Sequence, residues 1–140
     1  MTLREILERK GNSVHTTEPT ATLLEAAQLM MRYRIGSLVV LEGEKLVGIF
    51  TERDLLRVAA TGRDLKDVCV QEAMTVDVIT GKPDDSVTSV MKLLTEKRIR
   101  HLPVLDGDRL MGMISIGDVV KAQYENLEFE NHMLKSYISS

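Results

Sequence analysis

Gly48-Ile49-Phe50-Thr51-Glu52-Arg53-Asp54 returns, as a pattern, in Gly112-Met113-Ile114-Ser115-Ile116-Gly117-Asp118. Each copy reads glycine, two apolar residues, a hydroxyl residue, two variable residues and aspartate, and the copies lie 64 residues apart. The pattern predicts a strand that runs into a helix. Gly48 and Gly112 break the chain before a short apolar strand, Thr51 and Ser115 stand as helix N-caps, and Asp54 and Asp118 fall at the third helical position. Hydroxyl-x-x-acid is close to a capping box, which does no more than satisfy orphan N–H groups. A functional reading adds a ligand at the helix start, where free N–H groups and the dipole favour an anion. A carboxylate in that turn repels phosphate but accepts hydrogen bonds from a ribose diol. Duplication of the whole stretch favours a nucleoside held by the Asp, with its phosphate on the cap and nearby bases.

The repeat extends upstream at the same offset. Val14 matches Val78, Thr16 matches Thr80, Pro19 matches Pro83 and Leu29 matches Leu93. Arg34-Ile35 matches Arg98-Ile99, Leu38 matches Leu102, Val40-Leu41 matches Val104-Leu105, and Gly43 and Leu46 match Gly107 and Leu110. Average residue usage would give about one or two identities between Arg34 and Asp54. Each half therefore reads strand, helix, strand, turn, strand, helix. A helix is expected from Leu23 to near Gly36, strands over Ser37–Leu41 and Leu46–Phe50 around the turn Glu42–Lys45, and a helix from Glu52 to about Ala60. A short helix over residues 3–9 precedes them, ended by Gly11-Asn12. Residues 63–74 are a connector with Val68, Val70 and Met74 packed. Beyond Lys121 the chain has no counterpart in the first half. Val119, Val120, Tyr124, Leu127, Leu134, Tyr137 and Ile138 line one face of a long helix there, packed on its own domain or on a partner chain.

Bulk composition narrows the classes. The 140 residues are 44% hydrophobic and 28% charged, with a net charge of −3. That balance argues against a general nucleic-acid binder. A single cysteine, Cys69, forms no internal disulfide and points to a reducing, cytoplasmic setting. The amphipathic, acid-containing N-terminus has no signal-peptide core, and no apolar run approaches a membrane span. His15, His101, His132 and Cys69 lack metal-ligand spacing, and no nucleophile–base set or glycine-rich phosphate loop accompanies the two acids. No metal, no catalysis and no membrane are expected.

These residues resemble the cystathionine-β-synthase (CBS) domain, and two in tandem resemble a Bateman module. The resemblance covers about residues 1–123, and the stretch Arg98–Lys121 carries it most strongly. It implies an α/β (α+β) fold of two βαββα repeats, residues 1–63 and 64–123, packed about a pseudo-twofold axis, with a C-terminal helix over 124–140. It also implies a regulatory, non-enzymatic module that binds an adenine nucleotide (AMP first, otherwise ADP, ATP or NAD(H), sometimes S-adenosylmethionine), forms a homodimer and signals to an effector protein. In that family each cleft is built crosswise. One would use Thr16, Ile35, Gly36, Ser37 and Val39 with Ile114, Ser115, Gly117 and Asp118. The other would use Thr80, Arg100, His101, Leu102 and Pro103 with Phe50, Thr51, Arg53 and Asp54. Arg53, Arg100 and His101 suit a phosphate, whereas Gly117, Gly36 and Ser37 at the matching positions are small and neutral. The two clefts are thus expected to differ. The rival expectation is a structural dimerisation module in which both caps only cap.

Overall fold

Alternating helix and strand signals become, in the computed structural model, six helices and five strands; residues 1–11 and 13–139 are described. In order these are α1 (Leu3–Lys10), β1 (Thr16–Thr17), α2 (Leu23–Tyr33), β2 (Ser37–Glu42), β3 (Lys45–Thr51), α3 (Glu52–Ala59), α4 (Val70–Ala73), α5 (Val87–Lys97), β4 (His101–Asp106), β5 (Arg109–Ser115) and α6 (Ile116–Ser139). A single 3₁₀ turn, Leu65–Asp67, precedes α4. Gly11 ends α1 as expected, at φ 88°; Asn12 lies outside the described residues, as does Ser140, the last residue of the helix expected over 124–140.

The chain divides into two units. One holds Val14–Ile79 with Asp108–Leu110; the other holds Met1–Ser13, Thr80–Gly107 and Met111–Ser140. In the first, β1 pairs parallel with β2, and β2 pairs antiparallel with β3, setting Ser37 opposite Thr51 and Leu38 opposite Phe50. Helix α2 and the connector cover this sheet: Leu23, Ala26, Met30, Leu38, Val40, Phe50, Val68 and Val70 form one buried cluster, with Met74 packed at its margin. In the second, β4 and β5 pair, and Leu3, Leu7, Val87, Val90, Leu94, Leu102, Val104, Ile114, Val119 and Ala122 are buried.

Helix α2 ends near Gly36, as expected: Arg34 caps it in the left-handed conformation at φ 54°, and Arg98 caps α5 in the same way at φ 53°. Two expectations need correction. Gly48 and Gly112 do not precede strands; they lie inside β3 and β5. Each admits a close neighbour. A Cβ on Gly48 would lie 2.9 Å from the Thr75 carbonyl oxygen, and one on Gly112 would lie 2.6 Å from Leu7 Cδ2. The first strand of the second repeat shrinks to a single bridge, Gly81 to Val104. Val39 N–H donates to the His15 carbonyl in the first repeat, but Pro103 stands at the matching position and has no N–H to give.

Helix α1 precedes the first repeat in sequence and packs with the second. Its Leu3 and Arg4 N–H groups donate to Asp85 and Pro83 carbonyls, while Val87 N–H donates to Met1. In the first repeat the connector makes the same bonds: Val70 and Gln71 donate to Ala21 and Pro19, and Leu23 donates to Val68. Thr2 and Cys69 bridge Ser86 and Thr22 in the same way. Helices α1 and α4 are therefore equivalent at an offset of 67, not 64, and a search for identities at one constant offset passes over them.

Candidate functional site

The two repeated motifs meet the geometry expected of a cap in full. Thr51 N–H donates to Asp54 Oδ2 at 3.0 Å, and Asp54 N–H donates to Thr51 Oγ1 at 3.3 Å. Ser115 N–H donates to Asp118 Oδ2 at 2.9 Å, and Asp118 N–H to Ser115 Oγ at 3.1 Å. Both carboxylates thus hold the start of their own helix, α3 and α6.

Each unit gathers its own copy of the candidate residues at one end of its sheet. In the first unit Thr16 pairs with Val39, Ser37 with Thr51, and Glu52 N–H donates to the Gly36 carbonyl. Ile35, Gly36, Phe50, Arg53 and Asp54 follow by chain continuity. In the second unit Ile116 N–H donates to the Arg100 carbonyl, the equivalent bond, and Gly81 N–H donates to Pro103 beside Thr80. His101, Leu102, Ile114, Ser115, Gly117 and Asp118 complete that group. Val39, Phe50, Leu102 and Ile114 have no exposed surface, so neither their side chains nor their backbone open onto solvent. Thr16, Arg53, Thr80, Arg100 and Gly117 are exposed.

Three residues at these motifs escaped the sequence reading. Arg57 Nη1 donates to Asp54 Oδ1 at 3.3 Å, an i,i+3 pair visible on a helical wheel. The Glu52 carboxylate lies against Gly36, 3.3 Å from where a Cβ would stand, so the corner expected to be neutral carries an acid. Lys10 comes from α1: its Nζ donates to Asp118 Oδ2 at 2.7 Å and to the Met113 carbonyl at 2.9 Å. No local sequence signal announces a contact across 108 positions. The residue that stands to α4 as Lys10 stands to α1 is Asp77, an acid that cannot take its part.

The carboxylates also differ in exposure. The Asp54 side chain is 5% exposed and uses both oxygens, Oδ2 accepting also from Thr51 Oγ1; the Asp118 side chain is 24% exposed. Burial pushes the Asp118 carboxyl up, but hydrogen bonds from Lys10 and Ser115 and the Lys10 charge outweigh it and hold it below the ordinary carboxylate value. A hollow lined by Met1, Ile6, Arg9, Lys10, Asp118, Lys121, Ala122 and Glu125 opens beside it. Among the described residues, no three His, Cys, Asp or Glu are grouped to hold a metal. Among the described residues, no helix is long and apolar enough to cross a membrane.

The chain matches the CBS domain family twice, over residues 2–61 and 65–125. It belongs to the CBS-domain family. The mitochondrial CBS domain-containing protein CBSX3 of Arabidopsis thaliana is 37% identical over 98% of this chain and 71% of its own length. The CBS-domain protein ATU1752 from Agrobacterium tumefaciens is 39% identical, with a TM-score of 0.83 over 88% of this chain and 99% of that one. The CBS domain pair of protein MJ0100, solved in complex with 5′-methylthioadenosine and S-adenosyl-L-methionine, is 25% identical, with a TM-score of 0.80 over 90% of this chain and 98% of that one. Mixed helix and strand, tandem CBS repeats and a C-terminal helix agree with the fold expected from sequence. CBS pairs are in general regulatory ligand-binding modules rather than catalysts.

Proposed function

We propose that this CBS pair is a regulatory module that binds an adenine nucleotide, with AMP as the first choice and ADP, ATP or NAD(H) as alternatives. Its clefts are assembled crosswise, as the family resemblance implies: Thr16, Ile35, Gly36, Ser37 and Val39 with Ile114, Ser115, Gly117 and Asp118, and Thr80, Arg100, His101, Leu102 and Pro103 with Phe50, Thr51, Arg53 and Asp54. Sequence divides the repeats at residues 63 and 64. The observation that carries the reading is the duplicated acid-tipped helix start, and the adenosine compounds bound by the MJ0100 pair support it. The partly exposed Asp118 is the better ribose acceptor of the two, since Asp54 is buried and spends both oxygens on its own helix. Arg100, with its exposed guanidinium, is the phosphate contact; the Glu52 carboxylate at Gly36 repels phosphate from the other set. The module acts as a homodimer on an effector protein. The single free cysteine favours a reducing, cytoplasmic setting.

A second reading has an observation of its own: both capping boxes are already closed, their carboxylates accepting from backbone N–H groups of the same segment, as a ligand-independent scaffold requires. Thermal unfolding with AMP, ATP, NAD and S-adenosylmethionine separates the two. A native-state ligand at a hundredfold excess over its Kd adds about 2.7 kcal/mol. We expect that shift with AMP, and its loss in the Asp54→Asn, Asp118→Asn double variant. No shift with any compound at millimolar concentration would establish the scaffold.

A further inference from the structure

Helix α6 carries an apolar stripe that its own unit leaves uncovered. Val120, Tyr124, Leu127, Leu134 and Ile138 are each at least half exposed. With Asn131 they are spaced four, three, four, three and four residues apart, which is a heptad seam. Val120, Leu127 and Leu134 take the d positions; Tyr124, Asn131 and Ile138 take the a positions. The stripe that faces the unit is a different one: Val119 and Ala122 are buried, with α5 and α1 against the helix. Phe129 and Met133 continue that second stripe past the end of its cover. The open seam runs about 27 Å at the usual helical rise.

We propose that this seam pairs with the same seam of a second copy, as a parallel, in-register, two-stranded coiled coil. Charge selects the orientation. In a parallel pair Glu130 at g faces Lys135 at e of the other copy, and two-fold symmetry makes the contact twice. An antiparallel pair that brings all six seam positions together sets Lys121 against Lys135, Glu128 against Glu128 and Glu130 against Glu130, all like charges. Parallel register also places Asn131 opposite Asn131, where the two amides satisfy each other; antiparallel register faces it with Leu127. Leucine at two of the three d positions, with isoleucine at one a position and a single asparagine at another, follows the pattern that favours two parallel strands. An anionic lipid surface fits worse, because α6 bears four acids against two lysines. The seam is short for an isolated coiled coil, but the folded unit already nucleates the helix at Ser115.

The inference is independent of which ligand the clefts take. It rests on the homodimer reading only in requiring a second copy. Full-length chain carrying Cys69→Ser with Leu134→Cys is oxidised and run without reductant. Leu134→Cys should give a covalent dimer well above the level from Ser136→Cys, which lies off the seam. Mixing separately tagged Tyr124→Cys and Leu134→Cys chains should give no mixed dimer. A dominant mixed product, or no excess at Leu134, overturns the proposal, even where sedimentation still reports a dimer joined elsewhere. Leu127→Glu with Leu134→Glu should weaken association at least tenfold without changing the circular dichroism of the folded units. Unchanged association would equally overturn it.

Discussion

Asp54 and Asp118 close the same capping box and differ in what holds their outer edge. At Asp54 the cation is Arg57, one turn along the same helix; at Asp118 it is Lys10, from the helix that begins the chain. The first motif is self-contained and buried. The second depends on a segment that joins its unit from before the other repeat. A duplicated motif therefore keeps its local chemistry while its surroundings diverge, and the two sites are open to separate tuning.

The comparison breaks first at the carboxylates. Asp54→Ala removes a buried carboxylate and strands the partly buried Thr51 N–H and hydroxyl, and urea unfolding should show a loss of about 3 kcal/mol. Asp118→Ala, more exposed, should cost about 1.5 kcal/mol. Equal losses would show that burial does not separate the two sites. The strand glycines come next. A Cβ on Gly48 meets the backbone oxygen of Thr75, which cannot move away alone, and Gly48→Ala should cost about 2–3 kcal/mol. Gly112→Ala meets only the tip of Leu7, a side chain that can turn aside, and should cost about 1 kcal/mol.

Acid titration sharpens the difference further. The native Asp118 carboxyl sits below its ordinary value, so the stability it supplies is complete above about pH 4 and is lost as pH falls through the lowered native pKa. Lys10→Met removes the charge that lowers it. The acid-unfolding midpoint should rise, with a loss at neutral pH of about 0.5 kcal/mol for this partly exposed pair. Arg57→Met should leave the Asp118 titration unchanged by NMR. The smallest effect is shared by both repeats. Arg34→Gly and Arg98→Gly each relieve a left-handed residue and should raise the melting temperature by a similar small amount, about 0.5 kcal/mol in stability. A large difference between them would show that one guanidinium makes a contact the other lacks.

Much of this fold is legible in the chain because its signals are local. Thr51 and Asp54, like Ser115 and Asp118, are three residues apart, so their bonds follow once a helix starts. The turns at Gly43 and Gly107, both at positive φ, fall where the hairpins were expected for the same reason. The Gly48 and Gly112 positions were legible as repeats but not in their purpose, which is room for Met74 and Thr75 in one case and Leu7 in the other.

By itself, then, the sequence determined the doubled helix starts, the strand hairpins and the family they belong to. Helical and strand periods and capping bonds act within a few residues, and the residue types that satisfy them are written side by side. Tertiary structure alone decided that α1 serves the second repeat, that Pro103 reduces a strand to one bridge, and that Lys10 reaches Asp118 across 108 positions. Those outcomes depend on which surfaces bury one another, and burial joins residues with no regard to their spacing along the chain.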